Sequence, residues 1–166
     1  VDDDGVPQQV LMERAGAGVA AVVRERFPHP CRIVCMVGKG NNGGDAQVAA
    51  RILEKQGYSC TLCPTFDAAS FDGADVIIDG LLGIGARAPL SPDLENYITW
   101  VNALQKPVVA IDIPSGLDAD TGESCGQHSC GTIIAATVTV TMAQPKIGLF
   151  LGEGPNHCGD IVVVDI

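Results

Sequence analysis

The sequence predicts an α/β fold, a three-layer αβα sandwich of Rossmann-like type built on a mostly parallel, doubly wound sheet. Apolar runs of strand length alternate with longer segments of helical periodicity, as expected of successive βαβ units. The runs are nearly continuous, which is typical of parallel strands buried on both faces. A chain of 166 residues is long enough for a sizeable core. We therefore expect residues 1–166 to form a single domain.

Periodicity and end signals locate three helices and six strands. In the first helix Gly16 and Gly18 suggest close packing against a neighbouring element. Gly57 ends the second helix, and Ser91 caps the third with Pro92 at its first position. The predicted helices cover residues 7–27, 44–56 and 91–104, and the predicted strands cover residues 32–37, 58–63, 76–79, 108–112, 132–142 and 161–165.

The last two predicted strands differ from the others in how they are connected. Little helical pattern separates residues 132–142 from residues 161–165. Parallel strands need a long crossover, which is usually helical. We therefore expect this part of the sheet to be antiparallel.

Composition excludes several classes of partner. The formal net charge is -10, which argues against nucleic acids and anionic membranes because both select basic surfaces.

The longest apolar stretches are far too short to span a bilayer. No signal peptide is visible. The chain begins at Val1, so we expect the native start to be missing, and organelle targeting stays open.

The cysteines favour a reducing compartment. Their number is odd, seven, and the core is large, so we expect reduced thiols and a cytoplasmic protein. Cys60 and Cys63 imitate a redox or zinc half-motif, but in a strand they point to opposite faces, which favours buried thiols. A zinc site is an alternative whose spacing matches no common pattern; its ligands would be Cys125, His128 and Cys130 with Cys158 or His157.

A glycine-rich turn follows the first predicted strand. Gly38, Gly40 and Gly43 fit the pattern G-x-G-x-x-G at the start of a helix. Such a turn offers backbone N–H groups to an anion such as a phosphate. Asn41 and Asn42 add amide oxygens. A simple phosphate loop does not need such oxygens, whereas a loop that also holds a cation uses them as ligands.

Two further strand ends carry unusual loops, at residues 79–87 and 112–118. A strand order of 2-1-3-4-5 would place them beside the glycine turn, at the edge of the sheet where ligands bind. The pooled side chains would then supply oxygens for a hard cation from Asn42, Asp79 and Ser115. They would also supply a general acid or base in Asp112.

Cations and glycines complete this predicted site. Arg87 is a candidate phosphate clamp, and Lys146 is a further cationic candidate. Gly83 and Gly85 offer close backbone approach. Each of these residues also has a purely structural interpretation. An aspartate at a strand end commonly caps the next segment, a serine after Pro114 commonly forms a turn, and a single lysine is commonly a solvated surface residue.

An NAD-dependent dehydrogenase is the simplest alternative function for a glycine turn of this kind. That fingerprint needs an acidic residue at the end of the second strand to bind the ribose hydroxyls. Here the strand ends in Cys63 and Pro64, and Asp67 lies beyond the proline turn. The two asparagines and the missing acid count against a dehydrogenase.

The motifs together resemble the YjeF N-terminal domain family, the NAD(P)HX epimerases. The resemblance covers nearly the whole chain. It is carried by Leu11-Met12-Glu13 with Ala15-Gly16, by Gly40-Asn41-Asn42-Gly43-Gly44-Asp45, by Asp79 with Gly83, by Asp112-Ile113-Pro114-Ser115-Gly116-Leu117-Asp118, by residues 137–141 with Lys146 and Gly148, and by residues 159–166. Ala46 and Gln47 depart from the family pattern, which commonly has glycine and a larger, often aromatic residue there. This departure bears on substrate fit rather than on the class of protein.

The resemblance implies an isomerase of nicotinamide cofactor repair. Such enzymes interconvert the R and S forms of hydrated NADH and NADPH, so that an ATP- or ADP-dependent dehydratase can restore the cofactor. In many bacteria the dehydratase is fused C-terminally, and the chain here ends at Ile166, so only the epimerase half is expected. A homodimer is implied as well. The alternative is a non-catalytic nucleotide-binding, dimerisation or scaffold module of the same fold.

The resemblance also implies site residues. One potassium ion per subunit would be bound by Asn42, Asp79 and Ser115. Asp112 would be the catalytic residue. The substrate would contact Asn41, Asn42, Gly43, Gly44, Asp45, Gly83, Ile84, Gly85, Ala86, Arg87, Ala88, Pro89 and Asp112.

Overall fold

A computed structural model of the chain describes residues 5–86, 88–126 and 132–166. These residues form one six-stranded sheet in the order β2-β1-β3-β4-β5-β6, with every neighbouring pair parallel. The helices are α1 (Gln8–Arg26), α2 (Asn41–Glu54), α3 (Pro92–Ala103) and the short α4 (Gly154–His157), and the strands are β1 (Arg32–Val37), β2 (Ser59–Cys63), β3 (Val76–Gly80), β4 (Val108–Ile111), β5 (Val138–Met142) and β6 (Asp160–Val164). The α/β sandwich and the predicted order of the first five strands are confirmed.

The core consists of two layers on opposite faces of the sheet. On one face α1 and α2 pack against Ile33, Cys35 and Val37. On the other face α3 packs against Val34 and Met36. This alternation along β1 is the period-2 geometry of a strand buried on both sides, so the three-layer arrangement follows from the apolar runs. In the described residues no helix is both long and apolar enough to cross a membrane.

The prediction of an antiparallel region at the end of the chain was wrong. β5 and β6 pair in parallel, with Val138 opposite Asp160 and Met142 opposite Val164. Residues 143–159 provide the crossover through a 3-10 turn at Ile147–Leu149 and the four-residue α4. A crossover between parallel strands needs enough residues, but these residues need not form a long helix. This connection exceeds the dozen residues that a parallel pair needs.

The predicted fifth strand was too long at its start. β5 begins at Val138, whereas Ile133 packs with Ile113 and Leu117 of the loop that follows β4, and Ile134 packs in the core on the α3 face of the sheet. The Ile134 N–H donates to Ser115 O at 2.9 Å, which ties this segment to that loop and not to a neighbouring strand.

Helix ends and glycines agree more closely with the sequence, with one difference. Ser91 caps α3 by accepting a hydrogen bond from Leu94 N at 3.4 Å, with Pro92 at the first position, as predicted. Gly16 faces Val48 of α2 so closely that a methyl group there would overlap it. However, α2 begins at Asn41, three residues before the predicted start. The asparagines therefore belong to the first turn of the helix.

Candidate active site

The side chain of Asn42 joins the three predicted loops. Its Nδ2 donates to Leu82 O at 2.9 Å, in the loop after β3, and to Ile111 O at 2.7 Å, at the end of β4. Asn42 itself lies in the first turn of α2, after β1. Because the three strands are adjacent and parallel, their carboxyl ends meet here, at the point where the strand order reverses.

The first turn of α2 forms a bare helix N-terminus. Its N-cap, Gly40, has no side chain to bond the N–H groups that a helix leaves unpaired in its first turn. Gly38 and Gly43 pack so closely that a Cβ on Gly43 would overlap the carbonyl of Gly38. The glycines therefore let the loop fold tightly back on the helix, with N–H groups left to bind an anion.

Asp79 and Ser115 form a buried pair beneath these loops. Ser115 Oγ donates to Asp79 Oδ1 at 2.6 Å, and Ser115 N donates to Asp79 Oδ2 at 2.8 Å. Leu82 N donates to Ser115 Oγ at 2.9 Å. Asp79 is fully buried, and this burial raises its pKa to about 6, although the hydrogen bonds from Ser115 and Leu81 act in the opposite direction.

Asp112 lies at the end of β4 in a left-handed backbone conformation, with φ of 66°. Its N–H donates to Val140 O at 2.7 Å, which extends the pairing with β5 and holds the residue in place. Its Oδ1 accepts hydrogen bonds from Met142 N at 3.1 Å and from Thr141 Oγ1 at 3.3 Å. A non-glycine residue in this conformation costs free energy and occurs preferentially at functional sites.

Lys146 pairs with Asp112. Its ammonium group donates to Asp112 Oδ1 and also to Met142 O at 2.9 Å. Its side chain is 20% exposed, so it is not the solvated surface lysine that the sequence alone favours. The lysine precedes the 3-10 turn after β5, and that turn returns it to the sheet edge. Only the tertiary fold reveals this partnership.

Asp45 is the third carboxyl at the site. It is 6% exposed and lies one turn into α2. Burial raises its pKa to about 7, and the negative charge of Asp112 contributes in the same direction. Near neutral pH this group can therefore both give and accept a proton, as a general acid or base requires.

A cavity of about 1550 Å³ opens above these groups. It is larger than the pockets of about 300–1,000 Å³ that usually hold drug-sized ligands. The predicted site residues that line it include Asn41, Asn42, Asp45, Gly83, Ile84, Gly85, Ala86, Asp112 and Lys146. Gln8, Lys39 and Met142 also line it but carry no motif that could have singled them out.

The remaining predicted residues occupy other positions. Gly43 and Gly44 pack against Gly38 and Met12, so they shape the turn from behind. A cis peptide joins Ala88 to Pro89, and neither residue lines the cavity. Arg87 falls outside the described residues.

Asp67, Cys60 and Cys63 have structural roles in the described residues. Asp67, the acid nearest a dehydrogenase position, accepts hydrogen bonds from Ala69 N at 3.2 Å and Ser70 Oγ at 2.8 Å, and so caps a 3-10 turn. Cys60 and Cys63 pack on opposite faces of the sheet, as predicted. Residues 128 and 130 of the alternative zinc site lie outside the described residues. Among the residues that the structure describes, no group of three or more His, Cys, Asp or Glu side chains could hold a metal ion.

Three side chains beneath the cavity carry oxygen atoms that could hold a cation. The hydrogen-bond donors to Asp79 in the described residues are all neutral, so no described side chain compensates its charge through those bonds. The Asn42 amide is oriented by its two Nδ2 hydrogen bonds, and a methyl group on Gly83 would lie 2.7 Å from Asn42 Oδ1. One carboxylate, one amide and one hydroxyl are all oxygen ligands of the kind that hard cations prefer.

Relatives and a solved structure resemble this chain over most of its length. The chain is 37% identical to an NAD(P)H-hydrate epimerase of Weissella koreensis, covering 100% of this chain and 84% of that protein. It is 33% identical to an NAD(P)H-hydrate epimerase of Limosilactobacillus fermentum, covering 99% and 89%. It is 32% identical to a bifunctional NAD(P)H-hydrate repair enzyme Nnr of Salinibacter ruber, covering 100% of this chain but 38% of that protein. The crystal structure of yeast ynu0 (YNL200c) shares the fold, with a TM-score of 0.71, 23% identity and coverage of 92% and 78%.

These similarities also reveal a difference in length. The alignment with the Weissella protein runs over 192 positions, more than the 166 residues of this chain, so that relative carries residues with no counterpart here. The model of the family described as YjeF-related protein N-terminus matches residues 8–71 and, separately, residues 61–148. The two matches overlap at residues 61–71, which contain the end of β2 and the segment after it. Together they span most of the chain, and the protein therefore belongs to the YjeF-related N-terminal domain family.

Proposed function

We propose that the protein interconverts the R and S epimers of hydrated NADH and NADPH, as an isomerase of nicotinamide cofactor repair. The observation that carries this proposal is the position of Asp112, which is held in a strained conformation at the cavity wall beside Lys146 and near Asp45. The names of the relatives support the substrate class.

The substrate is a dinucleotide, and each of its parts suits a different group. Its pyrophosphate suits the bare N-terminus of α2, where backbone N–H groups and the helix dipole favour an anion. This local site explains how a protein of net charge -10 can bind a phosphorylated ligand. The hydrated nicotinamide ring then lies toward Asp112 and Lys146.

Epimerisation requires a proton to move at the ring hydroxyl. One route breaks the bond between carbon and oxygen after protonation of the hydroxyl, and water then adds to the other face of the ring. A second route opens and recloses the ring. In both routes Asp45, with a pKa of about 7, suits proton donation, and Asp112, held by Lys146, suits proton acceptance.

A potassium ion is proposed as the resident cation, held by Asn42, Asp79 and Ser115. When bound it would compensate the buried charge of Asp79 and fix the loops that it joins. Support comes from the neutral surroundings of that carboxylate and from the excess of carboxyls at the site. Asp45, Asp79 and Asp112 are each less than 7% exposed, and Lys146 forms an ion pair with Asp112 alone among them.

Assembly and location are proposed on the resemblance to the family. We expect a homodimer that acts with an ATP- or ADP-dependent dehydratase in the cytoplasm. The free thiols of Cys31, Cys35, Cys60, Cys63 and Cys158 are consistent with a reducing compartment. Light scattering of the purified protein tests the dimer.

An epimer assay tests the proposed activity. NADHX enriched in one epimer is incubated with the protein, and both epimers are separated by chromatography over time. We expect the mixture to reach its equilibrium ratio much faster than without protein. A binding module of the same fold would instead be stabilised by the ligand without accelerating the exchange.

A further inference from the structure

Aromatic side chains form a cluster on the wall of the cavity. The chain has four Phe, two Tyr and one Trp, and four of these seven residues form a single cluster. The ring of Phe66 lies 4.8 Å from that of Tyr97 and 5.0 Å from that of Trp100, between centroids. Phe71 lies 5.1 Å from Trp100. We call Phe66, Tyr97 and Trp100 the aromatic shelf.

The aromatic shelf faces the cavity that contains the site. Phe66, Tyr97 and Trp100 line the same continuous space as Asn42 and Asp112. Phe66 is 49% exposed and Trp100 is half-buried, whereas Phe71 is buried behind them. An aromatic ring that is exposed beside a functional site gains no free energy from burial in the free protein. A ligand that covers the ring would bury its apolar surface and gain that free energy.

The short connection between β2 and β3 creates this shelf. Residues 64–75 cross from one strand to the other with a single 3-10 turn, Ala68–Phe71, in place of a full helix. Phe66 lies at the start of this connection and packs on α3. The two matches to the family model overlap at residues 61–71, which include Phe66. The shelf is therefore tied to the form that this connection takes here.

We infer that the aromatic shelf binds the adenine base of the dinucleotide. This inference rests on the proposed function, which places the pyrophosphate at the N-terminus of α2 and the hydrated ring at Asp112, and leaves the second base to be accommodated. A purine stacks well on an exposed aromatic ring, and each stacked base contributes substantially to affinity. The cavity is large enough to hold both ends of the ligand.

The competing explanation is that the cluster has only a structural role. In that case its rings cover the part of the sheet that a longer connection between β2 and β3 would otherwise cover. A binding experiment separates the two, because Trp100 is the only tryptophan of the chain and reports on the shelf directly. We expect ADP to change Trp100 fluorescence in a saturable way, and ribose 5-phosphate to do so much more weakly. The Phe66→Leu variant should weaken ADP binding about 5- to 150-fold, and Phe66→Tyr, which keeps the ring, should largely retain it.

An activity ratio gives a second readout. We expect Phe66→Leu to lower kcat/KM for hydrated NADH relative to hydrated nicotinamide mononucleotide by a similar factor, because the mononucleotide lacks adenine. Phe150→Leu is the matched control, since Phe150 is also exposed but lies outside the cavity. The inference is overturned if ADP leaves Trp100 fluorescence unchanged, or if Phe66→Leu alters neither ADP affinity nor this ratio. Binding of ADP at the shelf without epimerisation would refute the proposed function and leave the adenine site standing.

Discussion

Asn42 and Ile111 are joined by a 2.7 Å hydrogen bond from the side-chain amide to the backbone carbonyl. The bond spans two strand intervals, from the helix after β1 to the end of β4, and the same amide nitrogen also bonds Leu82 O. One side chain thus fixes the relative positions of the three loops. The site depends on this link before any ligand binds.

Asn42→Asp should therefore destabilise the protein by about 2–4 kcal/mol, because two backbone carbonyls lose their donor and a carboxylate takes a buried position. Urea unfolding followed by circular dichroism measures the change. Asn41→Asp is the matched control, since Asn41 is exposed at the neighbouring position and an acid in the first turn of a helix is tolerated. Equal stability of the two variants would show that the Asn42 link does not hold the loops.

The buried carboxyl of Asp45 should make stability depend on pH in a defined direction. Its pKa is about 7 in the folded protein and 3.8 as the reference value, so the folded state binds the proton more tightly. Relative to Asp45→Asn, the wild type should match the variant below about pH 4 and lose stability as the pH rises toward 7. The difference should then level off at about 4 kcal/mol.

Thermal unfolding of both proteins between pH 4 and pH 8 measures this difference. Asp120→Asn serves as the control because Asp120 is exposed, and its difference from wild type should stay near zero throughout. A difference between wild type and Asp45→Asn that grows as the pH falls would contradict the assignment of a raised pKa.

Potassium should stabilise the protein through the site beneath the cavity. A ligand at about one hundred times its Kd adds about 2.7 kcal/mol, which corresponds to several degrees in Tm for a domain of this size. We expect this rise in potassium chloride relative to choline chloride at equal ionic strength. Ser115→Ala and Asp79→Asn should remove the rise, whereas Asp120→Asn should keep it. An identical Tm in both salts would exclude a resident potassium ion at this site.

The sequence predicts the parts of this structure that depend on local patterns. Apolar runs identified the buried strands, and Ser91 with Pro92 identified the start of α3. The direction of β6 could not be read in the same way, because residues 143–159 cross over without a long helical pattern. The start of α2 at Asn41 was missed because two glycines near its N-terminus weaken the helical signal.

The site was predicted in its motifs but not in its partnerships. Asp79 lies near the end of β3, Asp112 and Ser115 follow β4, and the strand order brings them together. The pairing of Lys146 with Asp112 links residues 34 positions apart, and no local pattern encodes it. The cluster of Phe66 with α3 arises from the short connection after β2. The periodicity of the sequence does not reveal the path of this connection.

The most direct test of the central claim is the rate of NADHX epimer exchange with wild type and with Asp112→Asn. Asparagine tolerates the left-handed conformation at this position and keeps an oxygen acceptor for Lys146 and Met142, so the fold should be retained. With the same Tm and near-ultraviolet spectrum as wild type, the variant should exchange the epimers about 10²- to 10⁴-fold more slowly. Asp120→Asn should exchange them at the wild-type rate. A folded Asp112→Asn protein that exchanges the epimers as fast as the wild type would contradict the account.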